Sequence, residues 1–521
     1  MQFGSFNAGR SGLYFGAHDA LASTKKLAFS SDGASADVRR SLGQYPEGMG
    51  VPGKTYEQPY DVVIGAFDGD WFTAAKIYRE WALKQKWCAK GRIADRADVS
   101  PKIKNVALWA MSGGEAEKTI PDLLNFKERF AGIPLATHWY SWHVIPFDNS
   151  YPEYFPPKPG FKEGVKTATD AGILVMPYIN GRLWDVQIPS FPREAVHDVT
   201  RDEKGKAYIE QYGSKRMLGA MCPWTKLWQQ KVGDIVWRLI DEFGVSGVYT
   251  DQVGAAAPHF CMDASHGHPL GGGSWWVEGY DKMLAPLRAR IKAKYPDSFL
   301  TTESNAEPYI EHYDAYLMCN STQGNLIPMF SAVYSDMILT FGRYTFEGDA
   351  KDENAFYMKE GELFVFGGQL GWIGHFPADP KYKAEGDYLK ALSECRNWAQ
   401  KWMALGEMLH PLDYKGEMPS VVGQWAVWRT KQKVELPAVM NSVWRAQDGT
   451  IGIALTNMSA KPMKATFEFD ATKYGLKGNA SVVSELTEKG LQKITAYSSK
   501  IFEHSEEMPP RSVRFLVVAQ Q

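Results

Sequence analysis

Between about residue 100 and residue 410, short apolar runs alternate with amphipathic stretches, the pattern of repeated βα units. Eight runs read as strands: Asn105 to Trp109, Ala136 to Trp142, Leu174 to Ile179, Gly247 to Thr250, Ser298 to Thr302, Ala315 to Met318, Ser331 to Leu339 and Leu363 to Gly367. Leu227 to Phe243 and Met283 to Lys294 carry apolar residues at helical spacing between them. Eight strands over roughly 310 positions predict a (β/α)₈ TIM barrel with long βα loops.

The flanks have a different texture. Before the barrel, strand-like pieces (Ser11 to Tyr14, Lys26 to Phe29, Asp61 to Ile64) are separated by Gly-, Ser- and Pro-rich turns. They lead into Trp71, Ala74, Ala75, Tyr78, Trp81 and Ala82 at helical spacing, with Asp70 placed as an N-cap. After about residue 415, Val421 to Trp428, Gly449 to Asn457, Met463 to Phe469 and Ser512 to Val518 are short strands with no helical periodicity between them. A C-terminal antiparallel β-sandwich follows from that pattern. The expected parts are a β-rich segment with a docking helix (residues 1–95), the barrel (96–412) and the sandwich (413–521).

Composition narrows the partners. Lys plus Arg (58) nearly balances Asp plus Glu (60), so the basic excess that nucleic acid or an acidic membrane demands is missing. No apolar stretch approaches the ~20 residues of a membrane span. No signal peptide is visible after Met1, which predicts a cytoplasmic protein unless a leader was removed. The five cysteines are scattered, odd in number and lack Cys-x-x-Cys spacing; buried free thiols are expected rather than disulfides or a structural zinc site. Eighteen Trp and 25 Tyr tilt the reading towards carbohydrate, because flat rings stack on the C–H faces of sugars. Dinucleotide, P-loop and serine-hydrolase motifs are missing, and no cofactor is called for. Nothing in the sequence specifies an oligomeric state.

Two acids carry the candidate chemistry. Asp251 ends Gly247-Val248-Tyr249-Thr250, and Glu303 ends Phe299-Leu300-Thr301-Thr302. Carboxylates at the loop-side ends of neighbouring barrel strands face one cavity. Glycosidic cleavage needs such a pair, one carboxylate at the anomeric carbon and one acid on the leaving oxygen. An Asp after strand four and a Glu after strand five resembles the α-amylase-like superfamily of retaining glycosidases. The segment Gly69 to Trp81 and the run Tyr249-Thr250-Asp251-Gln252 are similar to a little-characterised bacterial glycoside-hydrolase-like family, kin to the endo-α-N-acetylgalactosaminidases. The resemblance implies Asp251 as nucleophile, Glu303 as general acid/base and a β-sandwich on each side of the barrel. Residues 1–95 are too few for a full sandwich, so a shortened one is expected. A third acid after strand seven has no clear counterpart, since Asp336 lies inside an apolar run.

Strand-end and loop residues complete the expected sugar site: Trp109, His138, Trp139, Tyr140, Trp142, Tyr178, Asn180, Arg182 and Gln252, with Asp263, His266, His268, Trp275 and Trp276 from the loop after Asp251. Asn180 and Arg182 are placed to bind hydroxyls or hold the nucleophile ionised. Alternation along a strand turns about half of such residues away from a cavity. Glu307 and Glu311 read as a solvated helix face, with Glu307 the fallback acid. Two rivals stand beside the glycosidase: a metal-dependent hydrolase built on His259, Asp263, His266 and His268, and a non-catalytic carbohydrate-binding barrel.

Overall fold

In a computed structural model, eight strands form one parallel sheet: β1 Leu108–Gly113, β2 Leu135–Tyr140, β3 Ile173–Asn180, β4 Gly247–Asp251, β5 Phe299–Glu303, β6 Ala315–Leu317, β7 Leu339–Phe341 and β8 Leu370–Ile373. Their spatial order is β7-β6-β5-β4-β3-β2-β1-β8. Isolated parallel bridges from Phe341 to Gln369 and from Thr345 to Ile373 link β7 to β8 and nearly close the ring. The strands are buried almost throughout, which is why they read as continuous apolar runs rather than alternating ones. Residues 1–31, 38–319, 324, 326–427 and 430–520 are described. No helix among them is long and apolar enough to cross a membrane.

The described residues divide into two compact units. One contains Met1–Ala89, Ser141–Pro159 and Tyr178–Tyr313. Its N-terminal part pairs Phe3–Ala8, Ser11–His18 and Asp61–Asp68 in an antiparallel sheet. Helix α1, Trp71–Ala82, follows, with the Asp70 carboxylate accepting from the Phe72 amide. That cap stabilises the helix by about 1 kcal/mol. The buried face of α1 carries Phe72, Ala74, Ala75, Tyr78 and Ala82, and the Tyr78 hydroxyl donates to Glu307 Oε1 at 2.8 Å. Glu307 is therefore a buried acceptor in a short 3₁₀ turn, not part of a solvated helix face.

The second unit contains Lys90–Tyr140, Gly160–Pro177 and Asp314–Gln521. Its C-terminal region holds a six-stranded sheet, with Ser420–Val427 paired to Thr430–Pro437 and Met463–Asp470 paired to Ile501–Met508 beside it. Trp428, the end of one expected strand, lies outside the described residues. Val443, Ile453, Leu455, Phe467, Phe469 and Leu516 fill a core between layers, giving the expected sandwich.

Three strand assignments need correction. Ser331 to Leu339 is mostly helix, Met329–Tyr334, and β7 begins only at Leu339. Leu363 to Gly367 closes the helix Ala355–Val365, and β8 lies downstream. That helix is buried on every side, so it shows no polar stripe and its apolar end mimics a strand. Asn105 ends a turn of helix capped by Ser100 with Pro101 at its first position, and β1 starts at Leu108. Asp336 is buried after the Met329–Tyr334 helix, 3.5 Å from Arg92.

Candidate active site

Register decides which strand-end side chains meet. Tyr249, Thr250 and Asp251 of β4 pair with Tyr178, Ile179 and Asn180 of β3, and Tyr249 and Thr250 pair with Thr301 and Thr302 of β5. Because side chains alternate, Tyr178, Asn180, Tyr249, Asp251, Thr301 and Glu303 share one face. Continuing the β4–β5 register sets Asp251 opposite Glu303. Thr302 staples the two strands from the other face: its hydroxyl donates to Thr250 O at 2.7 Å and accepts from the Gly254 amide at 3.2 Å.

Each acid is followed by a residue in the left-handed region, Gln252 at φ 66° and Ser304 at φ 55°. Such a φ costs a non-glycine residue about 1–2 kcal/mol and turns the chain sharply away from the acid. Glycine supplies the close approaches instead. A Cβ on Gly181 would stand 2.6 Å from Val253 Cγ2, and one on Gly254 would stand 2.6 Å from Glu303 O.

Asp251 is surrounded by donors. Tyr178 Oη donates to its Oδ2 at 2.9 Å, Asn180 Nδ2 approaches the same oxygen at 3.4 Å, and Tyr249 Oη reaches Oδ1 at 3.3 Å. Asn180 is itself fixed, its Oδ1 accepting from the amides of Arg182 and Leu183 at 2.9 Å each. Burial raises the Asp251 carboxyl well above the usual carboxylate range; the charge of Glu303 and a hydrogen bond shared with it push the same way, while the Tyr178 hydroxyl pulls down.

The loop after β2 supplies the support that the sequence reading missed. The Asp148 amide donates to Tyr151 Oη at 2.8 Å, and the Tyr151 ring lies 6.3 Å from that of Tyr178, centre to centre. Burial lifts the Asp148 carboxyl to about 6, and its charge adds to the upward push on Asp251. The signal was present as Tyr151-Pro152-Glu153-Tyr154-Phe155-Pro156-Pro157, an aromatic and proline run on the loop side of a barrel strand.

Arg182 does not reach the Asp251 carboxyl. Its buried guanidinium pairs with Glu210 Oε1 at 2.6 Å, contacts His259 Nε2 at 2.7 Å and approaches Gln252 Oε1 at 3.4 Å. Burial pushes Glu210 up, but hydrogen bonds from His259, Tyr212 and Arg182 and the Arg182 charge hold it down at about 2. Glu210, on a short strand remote in sequence from any motif, was not foreseen.

The aromatic residues separate into two groups. Trp109, Trp139 and Trp142 are fully buried, their indole N–H groups bonded to Gln369 Oε1, Gly114 O and Tyr178 O. None presents an open stacking face. His138 is also buried, accepts from Trp372 Nε1 at 3.1 Å, and burial holds its imidazole well below its ordinary range. Tyr140 stays half-buried at the end of β2, beside His138 and Trp372 in the second unit. Trp372 sits at a bulge of β8 with φ 63° and was missed because the strand was assigned upstream.

The histidine-rich loop does not converge as one set. His259 joins Arg182 and Glu210, while Asp263 caps a 3₁₀ turn and lies 3.3 Å from Arg201. His266 and His268 are buried together, and His268 stacks on Trp275 at 3.8 Å. Trp275 is thereby covered. Trp276 lines a cavity of about 350 Å³ that is also bounded by Val253, Gly254, Asn305 and Glu307.

Comparison with known proteins agrees with this architecture. A Bacteroides thetaiotaomicron protein named "Putative glycoside hydrolase" is 30% identical over 462 residues, covering 87% of this chain and 66% of its own length. A Monosiga brevicollis protein named "Putative glycoside hydrolase 22789" is 31% identical over 411 residues, covering 71% and 34%. The chain thus spans 66% and 34% of the length of these curated relatives. Among solved structures, ligand-free α-N-acetylgalactosaminidase NagBb from Bifidobacterium bifidum aligns with a TM-score of 0.62 at 13% identity, covering 87% of this chain and 73% of that one. The maltogenic α-amylase AmyB from Thermotoga neapolitana aligns at 0.51 and 12%, covering 81% and 100%. At such identities the shared property is the fold. Residues 56–346, more than half of the chain, match the family described as "Domain of unknown function (DUF6259)", and the chain belongs to that family.

Proposed function

We propose that this chain is a glycoside hydrolase that cleaves an α-glycosidic bond of an oligosaccharide, polysaccharide or glycoconjugate with retention. The observation that carries the reading is the Asp251–Glu303 pair, at the loop-side ends of adjacent strands, with the charge of Glu303 among the causes that raise the Asp251 carboxyl. Tyr178 and Asn180 donate to Asp251, which favours its charged form and suits it to the role of nucleophile. Asp251 then attacks the anomeric carbon while Glu303 protonates the leaving oxygen; Glu303 next deprotonates the water that releases the sugar. The names of the relatives, and those of the structural neighbours NagBb, an α-N-acetylgalactosaminidase, and AmyB, an α-amylase, support the same class.

The test is a panel of aryl α- and β-glycosides, with ¹H NMR of the anomer first released. The expected result is turnover of an α-glycoside with the α-anomer appearing first, and a loss of about 10²–10⁴-fold in Asp251→Asn and Glu303→Gln. A β-anomer appearing first contradicts retention. Turnover that survives both substitutions contradicts the pair.

A further inference from the structure

We propose that Cys222, Cys261, His266 and His268 form a structural zinc site that ties the long loop after β3 to the long loop after β4. Cys222, His266 and His268 are buried and can place their ligand atoms within 4.8 Å of one another. Cys261, also buried, puts Sγ 3.5 Å from His266 Nδ1. Tetrahedral zinc with Zn–S and Zn–N bonds of about 2.3 and 2.0 Å sets a sulfur–nitrogen edge of about 3.6 Å. Cys222, His266 and His268 are the converging three, and Cys261, beside His266, would complete a set of two sulfurs and two imidazoles by a turn of its side chain; that set selects zinc over harder cations.

The surroundings are built as a second shell. His266 Nε2 is 2.8 Å from His197 O, which leaves Nδ1 as the lone-pair nitrogen facing Cys261. His268 Nδ1 is 2.8 Å from Pro269 O, leaving Nε2 as its lone-pair nitrogen; that atom is buried and has no hydrogen-bond partner among the described residues. Bonding the second ring nitrogen to a backbone carbonyl is how proteins fix the tautomer and orientation of a metal-binding histidine. The stacked Trp275 ring holds the His268 plane. Cys261 Sγ accepts the Arg201 backbone N–H at 3.4 Å. With Cys261 drawn in as the fourth ligand the site would have no open position, so its role would be architectural rather than hydrolytic. Cys222 follows the strand Leu218–Ala220, and the paired Cys261 and Gly271 close the second loop on itself. The ion would hold together the two loops that carry Arg182, Glu210, Gln252 and His259.

The experiment is metal analysis of the full chain, purified without a histidine tag and passed through gel filtration in chelator-free buffer. About one zinc per chain is expected. Cys222→Ser and His268→Ala should each lose it, while Cys88→Ser, at a thiol outside the cluster, should keep it. X-ray absorption on the wild-type protein should fit two sulfurs and two nitrogens, a readout that stands even if a variant fails to fold. Substoichiometric zinc after loading, equal zinc in all variants, or a Cys222–Cys261 disulfide in the purified protein would overturn the proposal. None of these readouts depends on turnover of a sugar, so they are separable from the proposed hydrolase activity.

Discussion

Removing one hydroxyl isolates what holds Asp251 in its working state. In Tyr178→Phe, Asp251 Oδ2 loses its 2.9 Å donor and keeps Asn180 at 3.4 Å; Oδ1 keeps Tyr249 at 3.3 Å. A hydrogen bond to a charged acceptor stabilises by about 1.5–3 kcal/mol, and one pKa unit corresponds to about 1.36 kcal/mol. The Tyr178 bond lowers the Asp251 carboxyl, so its loss should raise that group by about one to two units. The nucleophile must be ionised; the acid limb of kcat/KM against pH should therefore move up by the same amount. The assay is a pH profile on the aryl glycoside identified by the panel. Tyr249→Phe is the control, because its longer bond should move the limb by well under one unit. Equal shifts in the two variants, or an unmoved limb in Tyr178→Phe, would refute the assignment of Tyr178 as the donor that holds Asp251 ionised.

Three further outcomes follow. Asp148 has its folded pKa raised to about 6 from 3.8, so its ionisation costs stability increasingly from pH ~4 to ~6 and fully above that. Asp148→Asn should raise the thermal midpoint at pH 7 by the equivalent of about 1–2 kcal/mol, after allowance for solvent screening of the partly exposed carboxyl, and leave it unchanged at pH 4; equal effects at both pH values would exclude the carboxylate as the cause. Gly254→Ala places a methyl 2.6 Å from Glu303 O, a backbone atom that cannot swing aside. It should cost about 1–3 kcal/mol and lower kcat more than it raises KM; kinetics matching wild type would show that the strand end tolerates displacement. Glu210→Gln leaves the Arg182 guanidinium buried without its counter-ion, an expected cost of about 2–3 kcal/mol after allowance for the partial exposure of Glu210. Glu210 contributes its stabilisation above pH ~4.5 and loses it as pH falls towards 2, so the gap between variant and wild type should narrow in acid scans. A constant gap would point to lost packing instead.

The barrel was legible in the sequence where strands are buried on both faces and bounded by amphipathic helices, as at β3, β4 and β5. It was misread where a helix is itself fully buried, as in Ala355–Val365, because apolar residues on every side erase the period that distinguishes helix from strand. Asp251 and Glu303 were readable because a strand end is a position that pattern alone identifies. Tyr178 and Asn180 followed from the same logic. Which tryptophans line a cavity was not readable, since Trp139 and Trp142 differ from an exposed ring only in what packs over them. His266 and His268 were readable as metal-ligand candidates, but their convergence with Cys222 was not: Cys222 lies on another loop, and spacing arguments see only ligands close in sequence.

The central claim is that Asp251 forms a bond to the sugar. Incubation with a panel of 5-fluoro α-glycosyl fluorides, whose ring fluorine slows breakdown of a glycosyl-enzyme, followed by peptide mass spectrometry, tests it directly. The account predicts one glycosyl group on the peptide containing Asp251, absent in Asp251→Asn and removed on transfer to water or an acceptor. Steady turnover of a matching substrate with no covalent adduct, or an adduct on another residue, would contradict it.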